Sequence, residues 1–283
     1  MQDVSFLEKN VSLIEKYFEV SDGVQLKAFD FIPPAYTLKT PVIVFVAGWI
    51  SLLQGWEKVL KVTSRKYRTL YIETREKKSA NLPYTQKKID FSIDRMSLDL
   101  DEILSRTIAD DQPFYFLGSS LGSTTILHYL SLNRKQPKNS FLISPISEFP
   151  FPMWLLFVIN FFPARFYIAI KPVLKWYLKY FHLDRHNEPE QVTKYEGTID
   201  AAEPYRLKAN AYALKDYNLW NKLGYIQTPV TLIGAETDKL HGIDILKEMV
   251  SQMPFARLEM MKSNKETHSE IAGSFVVKYI DMD

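Results

Sequence analysis

The residues most able to do chemistry lie in the run Gly118-Ser119-Ser120-Leu121-Gly122. A continuous apolar stretch at 114–117 reads as a short buried strand, and the pattern over 121–132 reads as a helix. A serine on a tight strand-to-helix turn has a strained backbone and an exposed hydroxyl. Side chains two positions before and after it would collide across the turn, so glycine is required there. Ser120 meets that condition, with Gly118 and Gly122 as its flanks. Ser119 does not, because Leu117 and Leu121 occupy the same offsets. The chain holds only 10 glycines in 283 residues, so two at these positions carry weight. The helix that begins after Ser120 also turns its N-terminal amides and positive dipole end toward the hydroxyl.

A serine hydroxyl needs a general base, and the base needs a group that orients it. The five histidines are His128, His182, His186, His241 and His268. His128 falls in the helix after Ser120 and reads as packed or surface. His182 and His186 fall in a stretch without strands, and His241 is three residues after Asp238. His268 follows a strand predicted at 256–260, and Asp238 follows one predicted at 230–233. Both therefore lie beyond the carboxyl ends of strands, as Ser120 does, where ligands bind in open parallel sheets. The order serine, acid, histidine is one of the three known chain orders for such triads. Glu236 and Asp244 are the local rivals of Asp238, and Glu148 is the distant one. A tetrahedral oxyanion needs two donors. The expected pair is the backbone N–H of Leu121 and that of Trp49, in the loop Ala47-Gly48-Trp49 after a strand predicted at 42–46.

The elements that must position these groups follow a strand–helix rhythm. Strands are predicted at 18–21 and 24–31 around the turn pair Asp22-Gly23, then at 42–46, 69–73, 114–117, 140–144, 230–233 and 256–260. Helices are predicted at 56–66, 91–108, 121–132, 245–253 and 268–280. This points to an α/β fold, a mostly parallel eight-stranded sheet flanked by helices. The rhythm breaks over 146–213, which is rich in aromatics and prolines. That stretch reads as a helical insertion after strand 6, leaving residues 1–145 and 214–283 as the core.

Composition narrows the function. There is no cysteine, which excludes disulfides, thiolate nucleophiles and cysteine metal sites. The net charge is +2 and no nucleic-acid-binding motif is present, so no polyanion partner is expected. No histidine–carboxylate cluster has metal-ligand spacing. The first residues lack a basic start and apolar block, so a cytoplasmic location is expected. The longest uncharged apolar run, 149–164, is broken by Pro150, Pro152 and Pro163. Its uninterrupted part would span about 15 Å as a helix, against a bilayer core of about 30 Å.

Taken together, the segments 42–49, 118–122 and 219–238 and His268 resemble an α/β-hydrolase with a helical lid, over residue 17 to the C-terminus and most weakly in the insertion. The resemblance implies a Ser120–His268–Asp238 triad, no metal or organic cofactor, and an insertion that acts as a lid. Two departures stand out. The histidine often found before the oxyanion glycine is Ala47 here. The loop after the fourth strand, commonly D-x-R-G-x-G, reads Glu73-Thr74-Arg75-Glu76-Lys77-Lys78, with both glycines replaced by charged residues. That loop must run differently.

The expected reaction is hydrolysis of a carboxylic ester or thioester with an apolar acyl group. Amide, peptide or carbon–carbon cleavage, acyl transfer and cofactor-free haloperoxidation reuse the same groups, and a non-catalytic lipid-binding or receptor protein is the rival from another class. The insertion's aromatics, with Trp154, Phe157, Phe161 and Trp176 as the expected pocket residues, either pack it onto the core or line a lipophilic acyl site. Between 163 and 185 five basic residues face only Asp184. A basic amphipathic helix there would allow peripheral membrane contact.

Overall fold

A computed structural model describes residues 5–83, 89–149, 151–181, 189–238 and 242–283. His182, His186 and His241 lie outside the described residues. Among the described residues eight strands form one sheet in the order β1-β2-β4-β3-β5-β6-β7-β8. They are β1 (Ser12–Glu19), β2 (Gln25–Ile32), β3 (Val42–Val46), β4 (Arg68–Ile72), β5 (Phe114–Ser119), β6 (Ser140–Ile143), β7 (Val230–Ala235) and β8 (Ala256–Met261). The β1–β2 and β2–β4 pairs are antiparallel and the remaining neighbours are parallel.

The central strand β3 is Val-Ile-Val-Phe-Val, and all five residues are buried. Alternate residues serve opposite faces, as the pleat requires. Val42, Val44 and Val46 join a core layer with residues of α2 (Ile93–Thr107) and α3 (Leu121–Ser131). Ile43 and Phe45 join the other layer, with α1 (Glu57–Lys66) and α11 (Glu270–Met282). A sheet covered on both sides explains why the parallel strands read as unbroken apolar runs.

The hairpin differs from the expectation. Strand β1 begins six residues earlier, pairs Glu19 with Gln25, and leaves Val20–Val24 as the turn, with Gly23 at φ +77°. Its sequence SLIEKYFE is rich in charge and largely exposed, because it is the edge of the sheet. The last predicted helix, 268–280, is α11, and a separate short helix α10 (Asn264–Thr267) precedes it, with His268 between the two.

The loop after β4 is anchored through Arg75. Arg75 is fully buried, donating to Asp99 at 2.7 and 2.5 Å, to Asp22 at 2.8 Å and to the Asp90 carbonyl at 2.7 Å. The loop that carries charged residues in place of glycines thus forms an internal knot joining the hairpin and α2.

Between β6 and β7 stand α4 (Met153–Phe161), α5 (Tyr167–Phe181), α6 (Pro189–Ala201), α7 (Pro204–Leu214) and the short α8 (Trp220–Leu223). Three polar side chains tie α7 down: Asn210 Nδ2 donates to the Phe91 carbonyl at 2.7 Å, Arg206 to the carbonyls of Lys77 and Ala80, and Lys208 to the Phe162 carbonyl at 2.6 Å. Helix α9 (Ile243–Gln252) precedes β8. Among the described residues no helix is long and apolar enough to cross a membrane.

Candidate active site

Ser120 sits between the end of β5 and the start of α3 with φ +47° and ψ −117°, a backbone conformation that a non-glycine residue adopts only at a cost. Its N–H donates to the Ile143 carbonyl at 2.8 Å, which anchors the turn to β6. The two glycines are required, for a reason different from the one the spacing suggests. A Cβ on Gly122 would lie 2.1 Å from the Val46 carbonyl oxygen, because α3 starts hard against the end of β3. A Cβ on Gly118 would lie 2.7 Å from Ile126 Cδ1 and 3.0 Å from Ser123 Cα, inside the first turns of α3. The collisions are with the neighbouring strand and helix rather than between the two flanking positions.

The strain is not confined to Ser120. Ile50 (φ +47°) and Ser144 (φ +45°) stand just past the ends of β3 and β6, which neighbour β5 on either side. Three left-handed non-glycine residues at one sheet edge mark where the surrounding packing dictates the backbone. Ser144 Oγ donates to Asp238 Oδ2 at 2.9 Å, and its own N–H donates to the Ile233 carbonyl at 2.9 Å. Asp238, in the loop just past β7, is half-buried.

His268 stands at the C-terminus of α10. Its Nδ1 lies 3.0 Å from the Asn264 carbonyl and 2.9 Å from Thr267 Oγ1. A carbonyl can only accept, and the Thr267 hydroxyl itself donates to Asn264 O at 2.8 Å. A proton on Nδ1 satisfies this group of atoms and leaves the lone pair on Nε2, the tautomer a general base needs. The loop that carries Asp238 is tied to the same helix, since Asn264 N–H donates to Thr237 Oγ1 at 3.1 Å. The Trp56 ring packs 4.2 Å from the imidazole, centroid to centroid, and is itself held by its Nε1–H donating to Ser51 Oγ at 3.0 Å.

Ser120 and His268 open onto one cavity of about 450 Å³, together with Gly48, Trp49, Ile50 and Ser51. That volume falls within the range of small-molecule sites. Gly48 passes close to the serine: a Cβ there would be 3.3 Å from Ser120 Cβ. Ser51 N–H closes a turn onto the Gly48 carbonyl at 3.0 Å, with Trp49 and Ile50 at its apex. Leu121 is fully buried at the first position of α3, where backbone N–H groups have no partner within the helix.

The far walls of the cavity are apolar, with Phe149, Leu155 and Phe162 from one segment and Tyr167, Ile170 and Leu174 from the next. The four expected pocket residues are placed elsewhere. Trp154, Phe157, Phe161 and Trp176 are 39%, 55%, 73% and 54% exposed and do not line the cavity. Helices α4 and α5 are apolar around most of their circumference, so ring size is no guide to which side faces inward.

Of the rival acids, Glu148 lies at the cavity wall and accepts from Asn218 at 2.6 Å, whereas Asp244 is almost wholly exposed beside Lys247. His128 is buried away from the cavity, 3.0 Å from Tyr217 OH and 3.3 Å from Asp94. Burial holds its imidazole below the ordinary histidine value, against the opposing pull of the Asp94 carboxylate. Among the described residues no group of three or more His, Asp and Glu is placed to hold a metal ion.

Sequence reasoning missed Trp56, Ser144 and Glu76. Glu76 is fully buried and accepts from Thr74 Oγ1 at 2.8 Å and from Ile50 N–H at 3.3 Å, so a carboxyl stands directly behind the Gly48–Ser51 turn. Burial pushes its pKa above the usual glutamate value, with nearby Lys77 opposing. The only available signal was the charged residue standing where a glycine is common.

No protein-family model matches the chain, and no curated protein sequence does. Solved structures do. A hydrolase from Pseudomonas aeruginosa superposes with a TM-score of 0.74 over 95% of this chain and 98% of its own, at 16% identity. An enol-lactonase from Burkholderia xenovorans gives 0.75 over 94% and 98%, also at 16% identity. An esterase from Exiguobacterium antarcticum gives 0.72 over 95% and 100%, at 17% identity. The fold is therefore the α/β-hydrolase fold. At these identities the likeness extends to the fold and no further.

Proposed function

We propose that the chain is a serine hydrolase that cleaves a carboxylic ester or thioester with an apolar acyl group. The observation that carries this reading is Ser120, held at φ +47° on the strand–helix turn, opening onto the same apolar cavity as His268. In the proposed reaction Ser120 Oγ attacks the acyl carbonyl while His268 Nε2 takes its proton. Asp238 orients His268 and stabilises its charged form. The N–H groups of Leu121 and Trp49 receive the oxyanion. His268 then returns the proton to the leaving alcohol or thiol, and water cleaves the acyl-enzyme by the reverse proton path. Neither a metal nor an organic cofactor enters this scheme.

The acyl assignment rests on the cavity walls, where Leu155, Phe162, Ile170 and Leu174 provide area but no directional hydrogen bonds. We read residues 146–213 as a lid over a core of 1–145 and 214–283, since α4, α5 and α7 supply those walls. The structural neighbours described as hydrolase, enol-lactonase and esterase favour an ester-type reaction over a binding role.

A fluorophosphonate probe should label wild-type protein and leave Ser120→Ala unlabelled. Turnover of p-nitrophenyl esters from acetate to palmitate should rise with chain length and fall by several powers of ten in Ser120→Ala. Failure of wild type to label would remove the reading. Preference for acetate would remove the apolar acyl pocket.

A further inference from the structure

We propose that the outward face of α4 and α5 is a docking surface for an anionic lipid bilayer, placing the cavity roof against the membrane. On α4, Met153, Trp154, Phe157 and Phe161 are all exposed, at the three- and four-residue spacings of one helical face. On α5, Val173, Trp176 and Tyr180 are exposed at the same three- and four-residue spacings. The two helices adjoin, since the Trp154 and Tyr177 rings lie 6.2 Å apart. Scattered exposed apolar residues are ordinary, but a contiguous set spanning two helices is not.

Helix α5 cannot be explained as a simple amphipathic cover. Tyr167, Ile170, Leu174 and Leu178 line the cavity on one side, while the exposed set lies on the other. Its polar residues are Lys171, Lys175 and Lys179, on the flank between the two apolar faces, with Lys171 and Lys175 reaching Asp200 of α6. From residue 149 to residue 183 the chain has four basic residues, these lysines and Arg165, and no acidic one.

That charge pattern selects the occupant. A second copy seated symmetrically on this face would bring basic flank against basic flank. Anionic headgroups complement it, while Trp and Tyr rings sit at the polar–apolar boundary of a bilayer. The contact is peripheral, since no described helix is long and apolar enough to cross.

The test uses the full chain and sedimentation with vesicles of phosphatidylglycerol mixed into phosphatidylcholine, beside pure phosphatidylcholine. Wild type should bind the mixed vesicles more tightly than the neutral ones, and added salt should weaken the binding. Phe157→Glu with Trp176→Glu should weaken it by about ten-fold or more, on the hydrophobic loss expected for two buried rings. Both residues lie outside the cavity, so the variant's circular dichroism and thermal unfolding should match wild type. Three results would overturn the proposal: no binding to mixed vesicles, equal binding by the double variant, or a concentration-dependent dimer in wild type that the variant abolishes. The readout is binding rather than turnover, so the outcome is separate from that of the hydrolase reading.

Discussion

Gly122→Ala is the sharpest perturbation the site offers. The added Cβ would stand 2.1 Å from the Val46 oxygen and 2.6 Å from both the Val46 carbonyl carbon and the Ala47 oxygen, all backbone atoms that cannot rotate away. An ordinary carbon–oxygen contact is about 3.3 Å, so α3 and the end of β3 must separate by about 1 Å. Overpacking usually costs about 1–3 kcal/mol, and a clash with two fixed carbonyls belongs at or above the upper end. Gly118→Ala meets Ile126 Cδ1 at 2.7 Å, a flexible tip, and Ser123 Cα at 3.0 Å, so about 1–2 kcal/mol is expected. Gly197 in α6 has nothing within 4 Å of the place an added methyl would take, and Gly197→Ala should stabilise by about 0.4–1 kcal/mol through the unfolded chain. Urea unfolding of the three variants should therefore rank Gly122→Ala below Gly118→Ala, below wild type, below Gly197→Ala. A displacement of about 1 Å beside the proposed nucleophile should also slow fluorophosphonate labelling by about 100-fold in Gly122→Ala. Wild-type stability and labelling in that variant would refute the claimed close approach of helix and strand.

Other consequences follow from groups buried around the sheet. Burial lowers the pKa of His128 in the fold below the ordinary 6.5 that it keeps in the unfolded chain. Stability should thus fall as pH drops from about 6.5 toward the folded pKa, and His128→Gln should flatten that slope in urea titrations across the window. Glu76 has the opposite sign: burial raises its folded pKa above the ordinary 4.5, so stability should decline as pH rises from 4.5 to the folded value, and Glu76→Gln should remove the decline. Glu76→Ala, which strips the acceptor from the Ile50 N–H, should slow fluorophosphonate labelling more than Glu76→Gln. Arg75→Leu leaves the buried Asp99 with Arg95 as its remaining guanidinium and strips the half-buried Asp22 of its close partner, and should cost about 3 kcal/mol by urea unfolding, the low end for breaking a buried pair.

Much of this molecule is legible along the chain because its signals are local. The run Val42–Val46 is apolar at every position, which follows from burial on both faces of a parallel sheet. Glycine spacing alone singles out Ser120 over Ser119, and the backbone at Ser120 is strained as that spacing demands. The start of β1 is not legible, because an edge strand mixes charged residues with few buried ones.

What the chain order alone could not decide are relations between distant segments. Gly122 is required because of Val46, far upstream in β3, and no local pattern encodes that contact. The Nδ1 partners of His268, the Trp56 ring beside it and the Ser144 hydroxyl on Asp238 depend on where separate loops end at one sheet edge. Which aromatics of α4 and α5 face the cavity is equally hidden, since a helix apolar on two sides has no single preferred orientation. Periodicity and turn chemistry act over a few residues and are written along the chain. The facing of a helix and the company of a side chain are set by packing against partners far away in sequence, and only the folded structure holds that information.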